Sequence, residues 1–237
     1  MSVVTVRPIR FTDHVEQMRS FLQVLGLRPR IESLGAGWVD LVGETGLVAV
    51  HEAATSDGGH PGGTTLLSFE CADAEALADR LRRRGFDDAT VVDDAYGRAL
   101  HVTDPDGALV VADQVQDDLY GYRAVQTAGR SPIVVSPVQF TTEIARQATF
   151  LTVLGLRALA GASSSWQQWT GNGTIGLHAD EAPRTILSFQ TRNALTELVS
   201  RLIGAGFADA RSAEEDFGTV VHVTDPVDQD VVIVAAT

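Results

Sequence analysis

Apolar positions along this chain follow two rhythms, and the alternation between them is itself repeated. From Val3 to Phe11 the pattern is that of a strand interrupted at Pro8, which lacks a backbone donor and suits an edge or bulge. Val15, Met18, Phe21, Leu22 and Leu25 then share one helical face. Asp13 and Glu16 have the spacing of a capping box, and Gly26 is placed to end the helix. Short strands are expected over Arg30–Ser33, Gly37–Leu41 and Leu47–His51, followed by a Gly-rich connection, 56–64. A second set follows: a strand over Thr65–Cys71, a helix over Asp73–Arg84 with Ala74, Leu77 and Leu81 on one face, and a weak strand at Thr90–Asp93. It closes with a hairpin over Gly97–Ala112, turning on Asp104-Pro105-Asp106-Gly107 in the type I arrangement.

The second half replays the first. Phe150-Leu-Thr-Val-Leu-Gly-Leu156 answers Phe21-Leu-Gln-Val-Leu-Gly-Leu27, and Thr185-Ile-Leu-Ser-Phe189 answers Thr65-Leu-Leu-Ser-Phe69. Ala205-Gly-Phe207 answers Arg84-Gly-Phe86, and His222-Val-Thr-Asp-Pro226 answers His101-Val-Thr-Asp-Pro105. A repeat of this length marks duplication of a whole domain. The organisation expected is a domain over 1–113, a polar linker over 114–131 and a second domain over 132–237, each reading β-α-β-β-β twice in an α+β fold.

Composition narrows the partners. At 44% hydrophobic and 21% charged residues, the chain is of ordinary globular type. Its net charge of -13, with arginine and no lysine, argues against nucleic acid or an anionic membrane as partner. One cysteine excludes an intrachain disulfide; Cys71 has no evident base partner and reads as a buried structural thiol. With no signal peptide or long apolar run, a cytoplasmic location is expected. The Gly-rich 56–64 connection lacks Gly-Lys-Ser/Thr and opens a strand, so it is no phosphate cradle, and His60 within it reads as a solvated loop residue.

The doubled β-α-β-β-β module, the first helix ending in Val-Leu-Gly-Leu and the Asp-Pro-Asp-Gly hairpin together resemble the vicinal oxygen chelate superfamily, which contains glyoxalase-, bleomycin-resistance- and extradiol-dioxygenase-like proteins. The resemblance implies two tandem domains, each of two βαβββ modules in a curled, largely antiparallel sheet with helices outside and a small molecule held within. It also implies a monomer with pseudo-dimeric halves, or a homodimer. Enzymes of this superfamily usually hold a divalent cation with His and Glu on three strands. Carried over, those positions are Val6, Leu66 and Val111, and in the second half Val135, Ile186 and Val232 or Ile233. Aliphatic side chains offer no lone pair, and a one-residue slip adds only Thr65 and Thr185, so neither metal nor other cofactor is expected.

Two histidine pairs fall at matched places, His51 with His178 and His101 with His222. They read either as pocket residues that hydrogen-bond or move a proton, or as duplicated structural histidines. If Thr103 pairs with Ala108, His101 lies under a helix. Trp38 and Trp166 also correspond, with Trp169 three residues on. They suit either a core or the stacking wall of a concave site, where Asp40 would flank Trp38 and Gln168 would flank Trp166. The ligand-binding candidates are therefore Trp38, Asp40, His51, His101, Trp166, Gln168, His178 and His222; no catalytic residue is assigned. The function expected is metal-independent capture of an aromatic or amphipathic small molecule. The alternative is a divergent lyase, isomerase or dioxygenase-like enzyme using the histidines or an unusual divalent metal.

Overall fold

Each expected helix forms where the apolar spacing places it, although the first is capped differently. In the computed structural model, which describes residues 4–56, 58–94, 97–119 and 121–236, helix α1 (Val15–Leu25) buries Val15, Met18, Phe21, Leu22 and Leu25. Val3, at the start of the expected first strand, and Asp57, in the Gly-rich connection, lie outside the described residues. The Asp13–Glu16 capping box does not form: His14 is the N-cap, and its N–H donates to Thr12 Oγ1 at 3.0 Å. Helix α2 (Ala74–Arg82) starts at Asp73, whose Oδ1 accepts the Ala76 N–H at 3.0 Å. Helices α3 (Ile144–Leu154) and α4 (Leu195–Gly204) occupy the matching places of the second half. Helices α1 and α3 both end on a left-handed glycine, Gly26 at φ 119° and Gly155 at φ 99°, a conformation that a Cβ disfavours.

The strand expected over Val3–Phe11 is broken into two, Thr5–Val6 and Ile9–Thr12, which belong to different sheets. Pro8 sits in the break, and Pro137 sits in the same break between Ile133–Val135 and Val138–Thr141. This device governs the whole architecture. Contacts divide the chain into two compact units: Met1–Pro8, Leu66–Tyr120 and Pro137–Thr185 form the first, and Ile9–Thr65, Gly121–Ser136 and Ile186–Thr237 the second. Each unit thus combines a module from one half of the repeat with a module from the other.

Unit 1 holds two sheets. One runs Thr5–Val6, Ser68–Cys71, Leu109–Gln114, Gly97–Thr103, Thr90–Asp94; the other runs Arg157–Ala158, Trp166–Gly171, Gly173–Ala179, Val138–Thr141, Arg184–Ile186. Unit 2 repeats the plan. One of its sheets runs Ile133–Val135, Ser188–Thr191, Asp230–Ala235, Gly218–Thr224, Arg211–Glu215, and the other is centred on Arg28–Ser33, Trp38–Val42, Leu47–Glu52 and Ile9–Thr12. Each sheet includes a parallel pairing, such as Ser68–Cys71 with Leu109–Gln114, beside antiparallel ones. The expected linker also supplies a strand: Tyr122–Ala124 pairs with Arg28–Ser33, where Arg123 reaches Glu32.

In each unit the helices cover one face of the sheets and build one core. The unit 1 core joins α2 and α3 side chains to Val6, Phe69, Leu100, Val110, Ala112, Ile175 and Leu177. The unit 2 core joins α1 and α4 to Val39, Leu41, Val48, Val50, Val135, Phe189 and Ile233. An edge-to-face pair recurs, Phe86 on Phe150 in unit 1 and Phe207 on Phe21 in unit 2, both with centroids 5.0 Å apart. Among the described residues, no helix is long and apolar enough to cross a membrane.

Candidate functional site

Because strand side chains alternate, residues excluded from the helix-side cores define an open face on each sheet. On that face of unit 2, Trp38 pairs across strands with His51, which is in register with Phe11 on its other side. The rings touch: Trp38 meets His51 edge-on at 5.3 Å, and Phe11 lies 5.4 Å from His51 and 4.7 Å from His60. Unit 1 repeats the group. Trp166 pairs with His178, which is in register with Phe140, with ring centroids 6.2 Å and 5.3 Å from His178. Trp166 lies over Gly176, where an added Cβ would fall 2.4 Å from the indole; only glycine leaves room for the ring.

The two histidines are oriented by the same bond. Nδ1 of His51 stands 2.7 Å from Glu52 O, and Nδ1 of His178 stands 2.8 Å from Ala179 O. A carbonyl oxygen only accepts, so Nδ1 carries the proton. In the neutral ring Nε2 is then the acceptor. His51, Trp38 and His60 are half-buried, and Trp166 is 36% exposed. These rings are therefore within reach of a ligand, whereas Trp169, at 6%, belongs to the core.

The remaining candidates divide. Asp40 shares the face of Trp38 and His51, but it is fully buried and its Oδ2 accepts from Arg30 Nη2 at 2.8 Å. Gln168 shares the face of Trp166, opposite Gly176. His101 corrects the sequence reading. The Asp104 N–H closes the turn onto Ala108 O, so Thr103 pairs with Leu109 and His101 with Val111, on the open face and not under a helix. His222 likewise pairs with Val232. His222 places Nδ1 2.9 Å from Asp230 and Nε2 3.3 Å from Glu215, carboxylates on the two strands that flank it. His60 is not a solvated loop residue, since it packs on Phe11.

Sequence reasoning missed Phe11 and Phe140, although Arg-Phe-Thr and Gln-Phe-Thr stand at matched places. It also missed Arg184, whose guanidinium lies 3.7 Å over the Phe140 ring and bonds Asp180 at 3.1 Å. On the helix side, each hairpin turn carries a buried aspartate. Asp104 accepts from Gln139 at 2.7 Å and Gln147 at 2.8 Å, and burial raises its pKa despite these bonds. Asp225 pairs with Arg10, which also donates to Thr65 Oγ1 at 2.8 Å. Those groups hold strand, hairpin and helix together. A shallow groove lined by Glu16, Gln17, Ser20, Phe207 and Pro226 contains none of the aromatic group.

The divalent cation implied by the resemblance is tested by the donors present. Val6 and Val135 belong to the helix-side cores, and Val111 and Val232 are aliphatic residues on the open face. The slip of register that matters on the first strand brings Arg7 and Ser136 into play, residues the sequence reading passed over. Arg7 donates its N–H to Ser68 O, which aligns it with the open-face row of Ser68, Glu70, Val111 and Asp113. A guanidinium is no ligand for a cation. Among the described residues, no three His, Cys, Asp or Glu side chains gather as a ligand set. The residues present do not fit a divalent metal.

A family model described as the Glyoxalase/Bleomycin resistance protein/Dioxygenase superfamily matches residues 6–112. No curated protein sequence matches the chain. Among solved structures, the Mn(II)-bound glyoxalase from Novosphingobium aromaticivorans is similar at 15% identity and TM-score 0.66, over 99% of this chain and 83% of that one. The substrate complex of homoprotocatechuate 2,3-dioxygenase from Brevibacterium fuscum with 3,4-dihydroxyphenylacetate is similar at 14% identity and TM-score 0.66, over 98% and 80%.

Proposed function

The chain belongs, through residues 6–112, to the Glyoxalase/Bleomycin resistance protein/Dioxygenase superfamily, and on that premise we propose that it captures planar, hydrogen-bonding aromatic molecules without a metal. The observation that carries this reading is the duplicated Phe–Trp–His group on the open faces. Core positions are kept by packing, but these residues face away from the helices and still recur in two halves whose loops differ. Trp38 and Trp166 supply stacking surfaces, Phe11 is buried behind its histidine, and the Nε2 acceptor selects a ligand carrying an O–H or N–H. Arg184 beside Phe140 biases the unit 1 copy toward an anionic ligand. A dioxygenase of the same fold holds 3,4-dihydroxyphenylacetate, a planar hydroxylated ring, which agrees with this ligand class.

A fluorescence titration of chelator-treated protein tests the reading, with 2-naphthol as probe and 2-methoxynaphthalene as the partner that cannot donate. Saturable quenching by 2-naphthol is expected, with about tenfold weaker binding of the methyl ether, the worth of one hydrogen bond to a half-buried acceptor. Equal affinity for both would remove the role of Nε2, and no saturation by either would sink the reading. The same nitrogen favours a second reading, in which His51 removes a proton from a bound ligand and the protein is a metal-free isomerase or lyase. Turnover abolished by His51→Gln but indifferent to chelator would distinguish catalysis from capture.

A further inference from the structure

Unit 1 buries three charged side chains together on its open face. Arg7 is fully buried, with Nη1 3.7 Å from Glu70 Oε1 and Nη2 in an ion pair with Asp113; both carboxylates are themselves nearly buried. Two carboxylates withdrawn from water on adjacent strands repel each other and require a cation near both. The second half provides an internal comparison. Ser136 stands before Pro137 as Arg7 stands before Pro8, and the registers Asp113 with Glu70 and Val234 with Gln190 are equivalent. All three charges are absent there together. Gln190 Nε2 donates to Ser136 Oγ at 3.2 Å, and Val234 completes the row. The guanidinium and both carboxylates are absent together, as expected if the cation is kept by the carboxylates it faces, because either carboxylate left without it would be an uncompensated buried charge.

The position is also telling. Asp113 lies two residues beyond Val111 on the same face, one pleat from a position where the resemblance implies a cation ligand, and Glu70 is its partner in register on the neighbouring strand. We propose that the Arg7 guanidinium is a built-in replacement for a divalent cation in unit 1: it holds the Glu70–Asp113 pair, so the native chain takes no divalent metal there, and a chain without that guanidinium does.

The experiment uses the full chain and Mn²⁺ alone as probe, read by thermal melting and calorimetric titration after chelator treatment. Arg7→Ala is expected to melt about 10 °C lower than the native chain, to recover most of that loss in Mn²⁺, and to bind one Mn²⁺ saturably. The native chain and Arg7→Lys should show neither response. Arg7→Ser with Glu70→Gln and Asp113→Val, which copies the second half, should melt near the native chain and ignore Mn²⁺. Arg7→Ala that folds only when Mn²⁺ is present supports the proposal as well. It is overturned if Arg7→Ala is indifferent to Mn²⁺, if Arg7→Ala stays unfolded in Mn²⁺ while the triple variant folds, or if the native chain binds Mn²⁺ in a manner that Asp113→Asn removes.

Discussion

Single residues here are read by what surrounds them rather than by their type. Cys71 is buried, with Sγ 3.7 Å from Ala112 O, and burial pushes its thiol up to about 11. It should therefore resist a disulfide reagent in the native chain at mildly alkaline pH and react at the rate of a free thiol once urea unfolds it; rapid native reaction would contradict its placement. Asp104 gives a pH prediction. Its folded pKa is raised, chiefly by burial, so the native state holds that proton more tightly than the unfolded chain. The stabilisation is present below the ordinary carboxylate range and is lost as pH rises through the folded pKa. In Asp104→Asn, Gln139 and Gln147 can turn their amide oxygens toward the new donor. The stability advantage of the native chain over this variant, measured by urea unfolding, should shrink as pH rises through and above the ordinary carboxylate range. Asp106 titrates in the opposite sense in the native chain, because hydrogen bonds from Thr141, Gln147 and Thr142 outweigh burial and lower its pKa.

Elements were legible where their period was strong. The α1 face was readable to the residue because five large apolar side chains share one stripe. The hairpin showed its existence but not its register, because the placement of His101 depends on whether Ala108 or Leu109 is the first paired residue, and that choice is made by a bond from the Asp104 backbone. Arg7 was illegible for a related reason: its face depends on a chain break at Pro8 that sends neighbouring residues into different sheets. The paired phenylalanines were half visible, as the recurring Gly-Phe. A double-mutant cycle on Phe86 and Phe150, each changed to Leu, should give a coupling of about 0.5–1.5 kcal/mol. The matching cycle on Phe207 and Phe21 should agree within about 0.5 kcal/mol if the two units are packed alike.

At the scale of the molecule, the repeat disclosed the duplication and the resemblance to the superfamily but not the partition into units, because each half contributes one module to each unit. Residues 1–113 expressed alone lack the complementary module of both. They should be unfolded or self-associated, and should become folded when mixed with residues 132–237, as followed by circular dichroism and light scattering. A monomeric half with a cooperative melt would contradict the interleaved arrangement. The aromatic group follows the same symmetry, since Phe11, Trp38 and His51 in one unit match Phe140, Trp166 and His178 in the other. The proposed capture requires a histidine whose Nε2 is unprotonated and open to a ligand. Long-range proton–nitrogen NMR on labelled, metal-free protein reads this directly, with His51→Gln and His178→Gln for assignment. Both histidines in their neutral form should carry the proton on Nδ1, and both Nε2 signals should move when 2-naphthol is added. A proton on Nε2, or Nε2 signals that stay still while the probe binds, would contradict the account.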